Sequence, residues 1–519
     1  MSHSSLLQYA DRFGLEILKD LSGFSLIREG RCPFAYSFVR KHRLIPLEEK
    51  DNGELWIAIA DPLDLIAIEE ARCLSGSKIK EFLASEDLIE SAIERCFGGS
   101  KETPSHLIAH LAPEGKKTEN RETSDGYDLL AGESQAPVIR LLNALIVEAI
   151  QQRASDIHFE PTEEGLQVRY RIDGVLQTRH APSKEFQSQI VTRIKVLSRL
   201  DIAEQRLPQD GRIKLKVADR DIDFRVSSIP VAHGERIVLR ILDKNQVLFG
   251  LSSIGMRAEI LTHFCKLIRF TEGIILVTGP TGSGKTTTLY SALCDIQSPE
   301  INIMTIEDPV EYKLAGMAQI GVNHKIKLDF ATGLKHILRQ DPDVIMIGEI
   351  RDRETAEIAI QASLTGHLVV STLHTNDAPS AVTRLVDMGV EPYLLSSSLI
   401  GVVAQRLVRK LCEECKITYE PSQEELKGLG IAATLLFRPC GCERCFGTGY
   451  QGRHGIYELM TVGHPIKQQI LKSVDSSELK KVAMTAGLFP LKNEAAWLVQ
   501  KGITSTAEAL RVCRGLDEV

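Results

Sequence analysis

The eight residues Gly279-Pro280-Thr281-Gly282-Ser283-Gly284-Lys285-Thr286 could hold a triphosphate. Glycines let main-chain N–H groups close in on phosphate oxygens and take positive φ where the loop demands it. Lys285 is spaced to reach the β- and γ-phosphates, and Thr286 to place its hydroxyl on Mg²⁺. Thr287 continues the loop into a helix-forming stretch that reaches Ile296, and the apolar run Ile274–Val277 stands directly ahead. Strand, loop and helix in that order are the setting in which G-x-x-x-x-G-K-[ST] works. A nucleoside triphosphate gripped through Gly279 to Thr287 is the expected ligand.

Hydrolysis also needs a metal clamp, a group that orients the attacking water, and positive charge on the developing oxyanion. Glu349 ends the apolar run Val344–Ile347, where a carboxylate can meet Mg²⁺ or the water. Gly348 stands just before it, so the usual terminal aspartate is missing and metal contact there would run through water. Glu307, with Asp308 and Glu311, ends a second apolar run, Asn302–Ile306. His367 and His374 bracket a third, Leu368–Thr372, and could sense a γ-phosphate through charge-dependent hydrogen bonds. Arginines on strands usually face solvent. A ring of subunits nevertheless needs a cation supplied across an interface, and among Arg169, Arg171, Arg212, Arg225, Arg236 and Arg240 the candidates are Arg212 and Arg225.

Five of the eleven cysteines fall between Cys412 and Cys445. Two C-x-x-C pairs, Cys412 with Cys415 and Cys442 with Cys445, have the spacing of a tetrahedral Zn²⁺ site. Four thiolates leave no open position, so the zinc would be structural. Cys440 is a fifth thiol that could compete for the metal.

These groups need elements to position them. Near-continuous apolar strands alternating with helices such as 354–364 and 379–388 read as a parallel sheet buried on both faces. The expected fold class is α/β, with a P-loop, RecA-like core preceded by an α+β domain and a small N-terminal α/β domain. A tetracysteine module is inserted towards the helical C-terminus. The expected division is an N-terminal docking domain over 1–98, a polar and charged linker over 99–135, a mostly antiparallel α+β domain over 136–248, the ATPase core over 249–410, the zinc module over 411–456 and a helical region over 457–519. Asp173-Gly174 marks a tight hairpin turn.

Composition bounds the rest. The chain has 519 residues, 43% hydrophobic and 25% charged, with a formal net charge of −7. That balance supplies no global basic field for nucleic acid. No apolar run approaches the ~18 residues of a membrane span, and the first residues carry no signal-peptide pattern. The expectation is a cytoplasmic protein attached to a membrane through partners.

Together the motifs resemble those of the secretion ATPases of the type II secretion and type IV pilus-assembly superfamily. The matching segments are Arg153–Glu160, the phosphate loop, Thr305–Tyr312, Val344–Asp352, Gly366–Asn376 and the paired C-x-x-C. Gly234–Lys244 and Gly389–Leu407 look more like the type II secretion protein E branch. The resemblance implies a homo-hexameric ATP-driven motor peripheral to the inner membrane. Its expected partners are a bitopic inner-membrane protein bound by the N-terminal domain, a polytopic platform protein and acidic phospholipid, with no nucleic acid. It makes Glu349 the first candidate for the water-orienting carboxylate and Glu307 the second. The alternative within the superfamily is a type IV pilus extension ATPase.

Overall fold

The computed structural model describes residues 137–217, 220–243 and 250–514, and ahead of them 15–18, 42–49, 54–86, 127–128 and a few single positions. The expected linker lies outside the described residues, apart from 127–128. Tertiary contacts divide the chain into two compact units. One runs to Leu242 without Gln152–Ser155 and Arg171–Gln177; the other takes those two segments and everything from Asp243.

Strands β1 (Glu16–Leu18), β2 (Leu44–Glu49), β3 (Glu54–Ile59) and β4 (Lys78–Ala84) form a sheet in the order β1-β4-β3-β2. β3 and β4 run parallel, so the chain between them must cross over, and it does so through the helix Leu65–Ser75. Asp64 accepts the Ala67 N–H at the helix start, and left-handed Gly76 ends it. Ile57, Phe82 and Leu83 form part of its core.

The same unit holds most of a second sheet of seven strands: β5 (Tyr127–Asp128), β6 (Ala154–Pro161), β7 (Leu166–Ile172), β8 (Val175–His180), β9 (Gln209–Val217), β10 (Arg220–Val231) and β11 (Gly234–Asp243), in the order β5-β9-β10-β11-β6-β7-β8. β9 and β10 pair antiparallel, as do β11 and β6, while β5 lies parallel to β9. Asp173 and Gly174 both take positive φ between β7 and β8, the backbone a two-residue hairpin turn requires. The helix Lys184–Ser198 was not anticipated. Its Lys195 is buried, 2.5 Å from buried Glu235, and Ser228 donates to that same carboxylate. Each charge is therefore paired out of water.

The second unit is built on the sheet β14-β13-β15-β16-β12-β17-β20. Its strands are β12 (Gly273–Thr278), β13 (Ile303–Glu307), β14 (Ala318–Gly321), β15 (Val344–Ile347), β16 (Leu368–Leu373), β17 (Leu399–Leu411) and β20 (Tyr450–Thr461). The first six run parallel, and β20 closes the edge antiparallel to β17. Alternate residues of one strand enter different cores. Ile274, Leu276, Ile345, Ile347 and Val369 join one cluster; Ile275, Val277, Val344, Met346 and Val370 join another. The period-2 alternation of side chains thus meets cover on both faces, which is why these strands read as unbroken apolar runs.

β17 and β20 pair from Gly401–Thr461 to Leu411–Tyr450 as one long ribbon. The cysteine module sits between them in the chain, with its own small sheet of β18 (Ile417–Tyr419) and β19 (Leu436–Arg438). β20 reaches past position 457, where the helical region was expected to begin. Four helices follow, from His464 to Cys513. They are tied back to the ribbon: the Leu411 N–H donates to the Ile503 carbonyl, and the Arg409 guanidinium meets buried Glu508 at 2.8 Å. Burial alone would push the Glu508 carboxyl up, but hydrogen bonds from Arg511 and Arg409 outweigh it and hold the group at about 2.

A folded-state value below the ordinary 4.5 means this ion pair stabilises at pH above about 4.5 and loses that contribution as pH falls towards about 2. Glu508→Gln leaves two guanidiniums short of their counter-charge. It should cost about 3 kcal/mol in urea unfolding at pH 7 and flatten the dependence of stability on pH below 4.5.

Candidate functional site

Because β12, β13, β15, β16 and β17 run parallel, their C-terminal ends share one edge of the sheet, where open α/β sheets bind ligands. The loop after β12 turns through Gly279, Gly282 and Gly284, all at positive φ, into the helix Lys285–Ile296. Gly279 allows an especially close approach. A Cβ there would lie 2.3 Å from the Gln405 carbonyl oxygen and 2.8 Å from Ser283 Oγ. Thr281 and Gly282 face outward, while the Ser283 side chain is buried and its hydroxyl has no partner. Pro280 leads the loop, and Thr286 and Thr287 start the helix. A tight turn opening a helix, with an unengaged hydroxyl and N–H groups at the positive end of the helix dipole, suits a phosphate chain.

Lys285 is only 9% exposed. Its Nζ donates to the carbonyls of Gly279, at 2.8 Å, and Pro280, at 3.2 Å. Burial lowers its pKa, and the negative charge of Glu349 works against that shift. A desolvated ammonium beside a carboxylate at a helix N-terminus is poised for an anion.

Glu349 lies two residues beyond the end of β15, which is separated from β12 by β16 alone. Its carboxylate is mostly buried, ion-paired with Arg351, and 3.4 Å from His374 Nε2. Arg351 is a site residue that motif reading passed over. In extended backbone its side chain shares a face with Glu349 two positions earlier. The exit of β15 is held to β16 through Ser371 Oγ and Thr372 Oγ1, which donate to the carbonyls of Ile347 and Gly348.

His374 leaves the end of β16 next to the phosphate loop, and its own loop is pinned there. Thr375 donates its N–H to Thr278 Oγ1 at 2.9 Å, and the two hydroxyls are 2.7 Å apart. Burial, then the charge on Lys285, pushes the imidazole below its ordinary 6.5 despite Glu349. At pH 7 the ring is neutral and can exchange hydrogen bonds without carrying charge.

His367 is placed elsewhere. Gly273 pairs with Leu368 and Thr278 with Leu373, so His367 precedes β16 at the opposite edge of the sheet, roughly 20 Å from His374 at a strand's rise per residue. Its Nδ1 lies 2.8 Å from the Ala362 carbonyl oxygen and 3.2 Å from Thr365 Oγ1, closing a helix end. The two histidines expected to sense phosphate therefore stand at opposite ends of β16, with only His374 beside the phosphate loop.

Glu307 ends β13 on the site's edge, but it is 3% exposed and already accepts hydrogen bonds. Its donors are Tyr290, Thr305 Oγ1 at 2.6 Å and Gln319 Nε2 at 3.1 Å. Burial, followed by this carboxylate, raises the Tyr290 pKa. Arg212 and Arg225 belong to the other unit, as register partners on β9 and β10. Arg169 and Arg236 hold Glu160, and Arg240 holds Asp156.

Cys412, Cys415, Cys442 and Cys445 converge, with all four Sγ atoms within 4.8 Å of one another. Three of the separations are 3.8, 3.8 and 3.7 Å. Four Zn–S bonds of about 2.3 Å in a tetrahedron set edges of about 3.8 Å, so the thiols fit that ion. Main-chain N–H groups of Gly441, Cys442 and Gly449 point at Cys415 and Cys445 Sγ, as they would to support thiolates. Cys440 is exposed and stands outside the cluster.

The family model for type II/IV secretion system proteins matches residues 131–511. The chain belongs to that family. A second family model, the MshEN domain, matches 13–103. Type II secretion system protein E of Pseudomonas aeruginosa is 45% identical over 496 residues, covering 93% of this chain and 96% of that protein. Type II secretion system ATPase E of Vibrio cholerae is 44% identical over 489 residues, covering 93% and 97%. The crystal structure of the Legionella pneumophila ATPase DotB shares the fold at TM-score 0.55 and 19% identity, over 76% of this chain and all of that one. With its phosphate loop in place, this member of the family is a secretion ATPase.

A methyl group at Gly279 would collide with main chain that cannot swing aside, at a φ that side chains resist. Gly279→Ala should therefore reduce nucleotide affinity at least tenfold in a fluorescent-nucleotide titration, while far-UV circular dichroism stays unchanged.

Proposed function

We propose that this chain is a motor that hydrolyses Mg-ATP, works as a homo-hexamer on the cytoplasmic face of the inner membrane, and drives pseudopilus assembly and protein secretion by a type II secretion system. The observation that carries the reading is the convergence of Lys285, Glu349 and His374 on the phosphate-loop edge of a parallel sheet, in a chain of this family. The relatives aligned over nearly their whole length carry the type II secretion name, which favours this reading over pilus extension.

In this mechanism the loop Gly279–Thr287 cradles the phosphates and Lys285 exchanges its loop carbonyls for phosphate oxygens. Thr286, with Glu349 acting through water, would hold Mg²⁺, which when bound neutralises charge on the phosphates. Glu349 orients the attacking water and Arg351 fixes the carboxylate. His374 reads the state of the γ-phosphate as a neutral hydrogen-bonding group. Glu307, which accepts from three donors, supports the site as a second carboxylate. Arg212 and Arg225 are register partners on the adjacent strands β9 and β10. They are the proposed cations supplied to developing charge across a subunit boundary, worth ~10³–10⁵ in rate.

The proposed division follows the sequence: docking domain 1–98, linker 99–135, α+β domain 136–248, ATPase core 249–410, zinc module 411–456 and helical region 457–519. The separate match over 13–103 supports a self-contained docking domain, which would engage a bitopic inner-membrane protein while the ring works against a polytopic platform protein and acidic phospholipid. No helix among the described residues is long and apolar enough to cross a membrane, so attachment through partners accounts for the proposed site of action.

Lys285→Ala should abolish ATP turnover without unfolding the protein. Glu349→Gln should bind ATP with near-native affinity yet turn over ~10²–10⁴-fold slower; rapid hydrolysis by that variant removes Glu349 from its assigned role. Activity raised by DNA, and unmoved by acidic vesicles with the membrane partner's cytosolic domain, would overturn the secretion reading.

Metal analysis of the purified protein should find about one zinc per chain. Cys412→Ser and Cys442→Ser should lose it and Cys440→Ser keep it.

A further inference from the structure

Gln405 is buried, 2% exposed, where the apolar stretch of β17 passes beneath the phosphate loop. A polar side chain in that position must find partners, and those it finds belong to the phosphate-binding element. Thr288, on the first turn of the helix Lys285–Ile296, donates its Oγ1 to Gln405 Oε1 at 2.8 Å. The Gln405 carbonyl oxygen lies 2.3 Å from where a Cβ on Gly279 would stand, and its Nε2 lies 2.9 Å from the same point on Gly284. One residue of the neighbouring strand thus touches the loop at its first glycine, its last glycine and the helix it opens. Its cross-strand neighbour Tyr457 shares its face of the sheet, donates its hydroxyl to the Ile254 carbonyl at 2.9 Å and also meets Thr288.

We propose that Gln405 is a positioning residue for nucleotide binding. Its amide and carbonyl hold the loop in its phosphate-ready curvature, so that the N–H groups need no rearrangement when the triphosphate arrives. This deepens the ATPase reading and rests on it. Gln405 reaches the ligand only through the loop and Thr288, so its loss weakens affinity more than it slows the chemical step.

The test uses the full chain and four variants: Gln405→Met, which keeps length without hydrogen bonds; Thr288→Val, which removes the donor; Thr288→Ser, which keeps it; and the Gln405→Met/Thr288→Val double. ATP affinity is measured by titration, KM and kcat by turnover, and folding by thermal unfolding without nucleotide. Gln405→Met and Thr288→Val should each raise Kd and KM about tenfold, with a smaller fall in kcat. Thr288→Ser should restore native affinity, and the double variant should bind no more weakly than either single one. Native ATP affinity in Gln405→Met, or independent additive losses in the double variant, would overturn the proposal. If Gln405→Met does not fold, the contrast between Thr288→Val and Thr288→Ser decides: equal Kd values for the two reject the clamp. Failure of the wild type itself to bind ATP would instead defeat the ATPase reading.

Discussion

Parallel strand direction is the constraint on which the rest depends. Six neighbouring strands run the same way, so every strand exit falls on one edge, and residues far apart in sequence meet there. Lys285, Glu349 and His374 come from three such exits, and the hydroxyls of Thr278, Ser371 and Thr372 lace those exits together. Reversing one strand would send its exit to the far edge, as the position of His367 illustrates. The chemistry is thus a property of topology before it is a property of any side chain.

Within that frame, buried carboxylates set the geometry. Glu458 on β20 accepts the N–H of Ala378 at 2.9 Å and that of Leu491 at 3.2 Å, at the first turns of two helices. Desolvation pushes its pKa up, while the two N–H donors and the positive helix ends favour the charged form. One of those helices begins just after the His374 loop, so Glu458 anchors that loop from behind. Glu307 does a related task with neutral donors, joining β13, the phosphate-loop helix and β14 through one group. Its three donors make the Glu307 carboxylate a bridge between those elements.

What was legible in the sequence follows from the same physics. Ile274–Val277 and Val344–Ile347 read as strands because cover on both faces removes any need for polar alternation. The phosphate loop and each C-x-x-C pair were legible because local spacing alone brings their groups together. β17 and β20 were missed as strands: Arg406, Arg409, Lys410, Arg453 and His454 interrupt their apolar patterns, and their pairing spans the whole cysteine module. Two histidines bracketing one strand look equivalent in sequence, and only the register against β12 separates them. Gln405 acts partly through its main-chain carbonyl, which carries no residue signature; its one visible trace was an amide ending an apolar run.

The ribbon also ties the phosphate loop to the C-terminal helices. β17 is bonded to β12 on one side and to β20 on the other, and runs unbroken to Leu411, beside Cys412. Over Gly401–Ala404 it is held on both sides, where a one-residue slip would turn every side chain to the opposite face. One continuous strand thus joins the contact between Gln405 and the phosphate loop to the far end of this unit. At that end Leu411, Arg409 and Thr504 bind the ribbon to the C-terminal helices, and the cysteine cluster closes the excursion between its strands. The four sulfurs lie at separations that a single zinc ion would bridge, next to the point where β17 ends.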